Sequence, residues 1–458
     1  MSSEANENWQ ALCETVESVR QRDRVPGMAL GVLHKDQTFT TGFGVTNVDH
    51  PLDVTDETWF QVGSISKTFA ATALMRLCEA GKVDLDALVR TYLPEWGVAD
   101  EETSARTTVR HLLNHTGGWE GDYFRHTGQG DDALAKYMEI MKEIPQLAPL
   151  GTVWSYNNAG FAVVGRIIEV LTEKTFEAAL EELVLEPLKL GDSYLDHADV
   201  MVHRFVTGHN RVDGEVRIAR PWPLPRYAWA AGGVMCHIKE LLSYAAFHLG
   251  DGSVPGGERL LKPETMKAMR TPQARMWGDA EAMGLSWFMK NTPDLAQIWH
   301  GGGTTGQVCM LHMVPDRSFA VGLLTNGSHG RDLLRTAVRS ALKIFLGYDA
   351  EELKPMGASE DDLATFAGNY WRPYAEMELG MLGGRLVCQH IPKAGFPTED
   401  TPAPPASQPW ALDLCEKDRL IVLEGEIKDA PVDVLRKPDG TLGWLRLGGR
   451  IYVRQEDT

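Results

Sequence analysis

The chain has 458 residues, 43% of them hydrophobic and 24% charged, with a formal net charge of −18. Its length suggests two or three domains at about 150 residues each. The acid is spread along the whole chain, which sets aside nucleic-acid phosphates and anionic lipid as partners, and no apolar run reaches the ~18–20 residues of a membrane helix.

The opening residues show neither the basic nor the apolar region of a signal peptide. Six cysteines lie far apart, with no CxxC and no zinc spacing. The expectation is a cytoplasmic protein with reduced thiols, no metal and no cofactor; its oligomeric state is left open.

Residues 7–22 read as a helix. Met28–Leu33 and Thr38–Gly44 are apolar and β-branched around a polar turn, which is a hairpin signal. Thr58–Val62 is a short extended piece. Ser64 then opens a helix with Phe69, Ala73, Leu74 and Leu77 at helical spacing, stopped by Gly81. Residues 82–200 are rich in helical pattern, including 108–114, 161–172 and 175–183. Strands are expected at 284–290, 295–300, 307–314 and 319–326, followed by an amphipathic helix over 331–345. The polar segment 349–362 reads as a linker. Beyond it, short β-like stretches between Gly and Pro turns predict a small all-β barrel or sandwich over 363–458, with a Pro-rich loop at 392–410.

Ser64-Ile65-Ser66-Lys67 is an S-x-x-K motif. Residues i and i+3 on a helix lie about 60° apart around the axis, so Lys67 can reach the Ser64 hydroxyl. A serine hydroxyl needs a base within hydrogen-bond reach. A lysine serves when burial or nearby charge lowers its pKa. Ser66 stands about 100° from Lys67 and is the poorer partner. By itself the motif fits a plain helix start better than a catalytic pair, and a second copy, Ser340-Ala341-Leu342-Lys343, lies inside the closing helix. The first copy differs in following Gly63 where a strand meets a helix, a place where a backbone N–H can face an oxyanion.

Tyr156-Asn157-Asn158 can deliver a phenol and an amide to one site, with Lys67 holding Tyr156 near its phenolate form. His300-Gly301-Gly302-Gly303 ends a predicted strand, and glycines there let a substrate backbone lie against its edge. A core tyrosine, a helix cap and a simple turn are the structural alternatives for these three features. His111 and His115 are read as packing and capping groups. Trp119, Tyr123, Trp222 and Trp229 are candidates for an apolar acyl-binding wall or for ordinary core.

In this order the three motifs resemble the serine β-lactamase and penicillin-binding-protein superfamily, in the branch of class C β-lactamases, D-alanyl-D-alanine carboxypeptidases and related esterases. The resemblance runs over roughly residues 10–347. Supporting stretches are Thr108–Gly118, Ala231-Gly232-Gly233 and Phe319–Asn326. Phe366-Ala367-Gly368-Asn369-Tyr370-Trp371 resembles the first strand of lipocalin-like barrels attached to such enzymes, a domain expected to cover the catalytic cleft.

The resemblance implies an α/β (α+β) fold: an antiparallel sheet flanked by helices, with a helical lobe inserted at roughly 69–230 of a 1–348 hydrolase domain. It implies an acyl-enzyme on Ser64, Lys67 and Tyr156 as general base, and Asn158 orienting the Lys67 amine and the substrate. It places the oxyanion between the N–H groups of Ser64 and Gly303. Where resistance enzymes carry Lys-Thr-Gly, this chain has His300-Gly301-Gly302, replacing a fixed cation by a group largely neutral at pH 7. That favours an ester, amide or peptide acyl substrate without a demanding carboxylate. A β-lactamase or D,D-peptidase, an acyl-transferase or peptide cyclase, and a penicillin-binding-like module without turnover are the competing readings.

Overall fold

The computed structural model describes residues 3–254 and 256–455. Its centre is an eight-stranded antiparallel sheet in the order 37–44, 27–34, 319–325, 307–314, 296–304, 288–291, 281–283, 274–277. The first hairpin therefore pairs with the last strand of the sheet, Met28 opposite Thr325 through His34 opposite Phe319. The Phe319–Thr325 strand is buried on both faces, which explains its unbroken apolar run.

Each sheet face carries helices. The Ser3–Arg22 and Arg331–Leu346 helices bury Leu12, Val16, Leu333 and Ala337 on one side. The Ile238–Leu249 and Ser66–Glu79 helices cover the other and join the larger core of the helical lobe. Within that lobe the Asn158–Thr172 helix is buried along most of its length, Phe161, Val163, Val164 and Ile167 being fully enclosed.

Two expectations need correction. The apolar run 284–290 is not one strand. A turn at Gly284–Trp287, with Gly284 N bonded to Trp287 O at 2.7 Å, separates Glu281–Met283 from Phe288–Asn291. Leu285 and Trp287 are fully buried there, and a short apolar run looks the same in a strand and in a buried turn. The helix expected at 175–183 is Phe176–Leu180 followed by a π turn over Glu181–Leu185.

The C-terminal part is a closed barrel of eight strands from Gly368–Arg372 to Arg450–Arg454, shut by Tyr370 opposite Arg454. Tyr370, Met377, Leu386, Leu412, Leu420 and Leu445 fill it. Its strands Trp410–Glu416 and Leu442–Leu447 are ones the sequence pattern did not single out. Part of the polar segment before it is tied down: Met356 N bonds Leu414 O, and Gly357 N bonds Asp413. All six cysteines are unpaired. Among the described residues no helix is long and apolar enough to cross a membrane.

Candidate active site

Ser64 stands in a short 3-10 turn, Gly63–Ile65, that runs directly into the Ser66–Glu79 helix. First-turn N–H groups have no intrahelical acceptor, so the local fold leaves the Ser64 N–H available. Gly63 has φ +53, and a Cβ on it would lie 2.6 Å from Gly303 N. A Cβ on Gly302 would lie 1.9 Å from Val62 O. These two glycines permit the contact between the serine turn and the Ala296–Thr304 strand, and they bring the Ser64 and Gly303 amides to one place.

Lys67 Nζ lies 3.1 Å from Ser64 Oγ and donates to Ala231 O at 2.7 Å. The side chain is fully buried. Burial, helped by the Arg450 charge, holds its pKa well below the usual lysine range, while Asp122 works the other way. The nearby Ser66 hydroxyl is committed elsewhere: it donates to Gly63 O and accepts from Val234 N.

Tyr156 packs its ring 4.9 Å from Lys67 Nζ. Its hydroxyl is buried without a hydrogen bond of good geometry, although Ser64 is close enough to favour its ionised form. Burial outweighs this and pushes the phenol above its ordinary pKa, the direction opposite to the expected phenolate. His115 supports the loop from below: it is fully buried at φ +58, accepts from Asn157 N at 3.0 Å and lies 4.4 Å from the Tyr156 ring. His111 caps its helix by accepting from Thr108 N. Both are packing and capping groups, as their sequence context suggested.

Asn157, not Asn158, caps the following helix, its Oδ1 accepting from Gly160 N. Asn158 Nδ2 donates to Asp122 Oδ1 at 2.7 Å. No hydrogen bond joins Asn158 to Lys67 among the described residues.

His300 is 1% exposed, and its pKa is lowered to about 3 by burial and the neighbouring Lys67. Nδ1 lies 2.6 Å from Gly301 O. A carbonyl only accepts, so Nδ1 carries the proton and Nε2 presents a lone pair, which has no partner. Position 300 therefore offers a neutral acceptor.

Of the four aromatic candidates, two line a crevice and two do not. Trp222 and Trp229 border a small crevice with Gln61, Gly232 and Gly233. Trp119 is core, packed edge-on to Trp96. Tyr123 is buried, with its hydroxyl on Glu143 and its ring near Tyr374.

The largest surprise comes from the barrel. Its turn at Gly448-Gly449 meets the loop before the Asn158–Thr172 helix, where Gly449 O accepts from Tyr156 N at 2.8 Å. Arg450 bonds Asp122 through Nε at 3.0 Å and Nη2 at 3.2 Å. Arg372 bonds both Glu120 and Asp122 at 3.1 Å. Burial works to raise the Asp122 carboxyl, but Arg450 and Arg372 overcome it and hold it below the usual range. Sequence reasoning missed Glu120, Asp122, Arg372 and Arg450, because nothing local marks a pairing across two domains.

The fold thus collects one buried lysine, one serine, one phenol and two backbone amides at the end of a glycine strand. The chain belongs to the Beta-lactamase family, whose model matches residues 13–343. Relatives found include proteins named as β-lactamases and as a hydrolase. Penicillin-binding protein 4 of Amycolatopsis lactamdurans is 32% identical over 80% of this chain and 97% of its own. The unguisins hydrolase ungD' of Aspergillus campestris is 25% identical over 87% of this chain and 74% of its own. The crystal structure of SurE with D-Leu is 25% identical, covers 98% of this chain and 100% of its own, and superposes with a TM-score of 0.72. That coverage includes the barrel.

Proposed function

We propose that the protein is an esterase or amidase/peptidase that turns over its substrate through an acyl-enzyme on Ser64. The observation that carries this reading is the Lys67–Ser64 contact of 3.1 Å, made by a fully buried lysine whose pKa burial holds well below the usual lysine range. A neutral amine in hydrogen-bond reach is the base a serine nucleophile needs.

Lys67 accepts the Ser64 proton as Oγ bonds to the substrate carbonyl carbon. The carbonyl oxygen takes up the negative charge between the Ser64 and Gly303 amides. Tyr156, protonated at rest, gives its proton to the leaving oxygen or nitrogen as that bond breaks, and the proton on Lys67 restores the phenol. Water then repeats the sequence on the acyl-enzyme. Asn158, Asp122 and Arg450 hold the Tyr156 loop and set the field at Lys67. An amine entering in place of water gives acyl transfer through the same groups. The acceptor character of His300 argues for substrates without a carboxylate at that position, in contrast to β-lactams.

The test is a panel of p-nitrophenyl esters and nitrocefin with wild type and Ser64→Ala. Ester turnover by wild type alone, with little nitrocefin hydrolysis, supports the reading. Equal turnover by Ser64→Ala removes Ser64 as nucleophile. Rapid nitrocefin hydrolysis makes the protein a β-lactamase instead.

A further inference from the structure

His115 carries two local costs that packing alone does not call for. Its backbone is left-handed, with φ +58, a region that disfavours residues with a Cβ. Its ring accepts from Asn157 N through Nδ1, so Nδ1 is unprotonated and Nε2 holds the proton. That Nε2–H is buried without an acceptor, in a residue with 0% exposure. Buried polar groups are nearly always bonded, and an apolar ring would fill this space with no donor left unmet. Strained backbone and broken local rules collect at functional sites.

Both costs serve one segment. Residues 154–157 have no regular structure, and they carry Tyr156 to the candidate site. His115 meets this segment twice. Its carbonyl accepts from Ser155 N at 3.0 Å, and its Nδ1 accepts from Asn157 N at 3.0 Å. These two amides flank Tyr156 on either side. The imidazole also lies 4.4 Å from the Tyr156 ring, at an interplanar angle of 33°. Burial and the nearby Lys67 lower the imidazole pKa, the direction that keeps Nδ1 an acceptor.

The phenol depends on this grip. The Tyr156 hydroxyl is buried with no hydrogen bond of good geometry, so nothing at its own tip fixes it. Its place beside Ser64 and Lys67 follows from how the ring and the backbone on either side are held. His115 supplies both holds from the hydrolase domain, and the barrel adds one more at Tyr156 N through Gly449 O.

We infer that His115 is a positioning residue for proton transfer: its Nδ1 and its left-handed carbonyl fix Ser155 and Asn157 so that the Tyr156 hydroxyl reaches the leaving group. His115 moves no proton itself and acts through Tyr156 alone. This inference rests on the reading that Tyr156 protonates the leaving group of an acyl transfer to Ser64.

The test is a double-mutant cycle read on two esters. The leaving group of p-nitrophenyl acetate needs no proton, and that of ethyl acetate does. His115→Phe keeps a ring and removes the acceptor. His115→Asn keeps an acceptor on Cγ and tolerates the left-handed backbone. Rates are taken per Ser64 labelled by a fluorophosphonate, so unfolded enzyme is not counted. His115→Phe is expected to lower kcat for ethyl acetate by about 10²-fold, and for p-nitrophenyl acetate by less than about threefold, with KM nearly unchanged. His115→Asn should return to within about fivefold of wild type on ethyl acetate. In a Tyr156→Phe background, His115→Phe should cost less than about twofold more on either ester.

Equal falls on both esters, additive falls in the double variant, or no recovery in His115→Asn would overturn the inference and leave the Ser64 reading standing. So would ethyl acetate turnover undiminished by Tyr156→Phe, or a wild type that hydrolyses only the p-nitrophenyl ester. A wild type that hydrolyses neither overturns both readings. A second measurement needs no variant to fold. The proton–nitrogen correlation spectrum of wild type with labelled histidine should show His115 protonated at Nε2 alone at neutral pH. A proton on Nδ1 would overturn the inference.

Discussion

Arg450, in the last strand of the barrel, places Nε 3.0 Å from Asp122 Oδ2 and its guanidinium carbon 4.6 Å from the Tyr156 ring centroid. The two partners are 328 residues apart in the chain. One side chain thus joins the second domain to the carboxylate that holds Asn158 and to the face of the phenol. Its cation also helps lower the pKa of Lys67. The barrel is a structural part of the candidate site and not an appended module.

Replacing Arg450 by Met should therefore act on stability and on pH dependence together. Asp122, 7% exposed, keeps Arg372 but loses two charge-assisted bonds. The loss is expected to be about 2 kcal/mol by urea denaturation. Removing the neighbouring positive charge raises the Lys67 pKa. The acid limb of kcat/KM then moves to higher pH, a shift that a purely packing role for Arg450 would not produce.

Lys67 makes the complementary prediction. Its pKa is depressed in the folded protein and near 10.4 in the unfolded chain. Between those values the unfolded state binds the extra proton, so stability rises with pH across that window and is lowest below it. Lys67→Met removes the buried amine. It should raise the melting temperature at neutral pH, flatten this pH dependence, and lower ester turnover by about 10²–10⁴.

The Tyr156→Phe enzyme keeps the ring packing on His115 and Phe288 and loses only the hydroxyl. With the phenol protonated at rest and acting on the leaving group, kcat should fall by about 10²–10⁴ for poor leaving groups such as amides. The fall should be much smaller for p-nitrophenolate, which leaves without a proton. Equal losses for both leaving groups would assign Tyr156 another task.

His300→Lys exchanges a neutral acceptor for a cation at the glycine strand. If position 300 faces the bound substrate, nitrocefin, which carries a carboxylate, should gain about tenfold in kcat/KM, about 1.4 kcal/mol. Neutral esters should not gain. Unchanged nitrocefin kinetics in a folded variant would place position 300 away from the substrate.

Much of this was readable before the structure. Ser64, Lys67, Tyr156 and the His300–Gly303 strand stand out because each motif is local: a helical i, i+3 spacing, a loop before a helix, a run of residues without Cβ. The sheet strands and the flanking helices follow from apolar periodicity. The strand at 284–290 failed because Leu285 and Trp287 are as buried in a turn as they would be in a sheet. The Glu120, Asp122, Arg372 and Arg450 cluster was invisible for another reason. Each is an unremarkable charged residue in its own neighbourhood, and only docking of the barrel turn at Gly448-Gly449 brings opposite charges together. Trp119 and Tyr123 show the converse, large aromatics that look like pocket walls and pack as core.

The central claim is that Ser64 carries a covalent acyl group during turnover. The most direct measurement is intact-protein mass spectrometry after a short incubation with a fluorophosphonate or a slowly deacylating p-nitrophenyl ester, followed by peptide mapping. The account predicts one adduct per chain in wild type, located on the peptide containing Ser64, and none in Ser64→Ala. An adduct of equal yield in Ser64→Ala, or one mapped to any other serine, would contradict it.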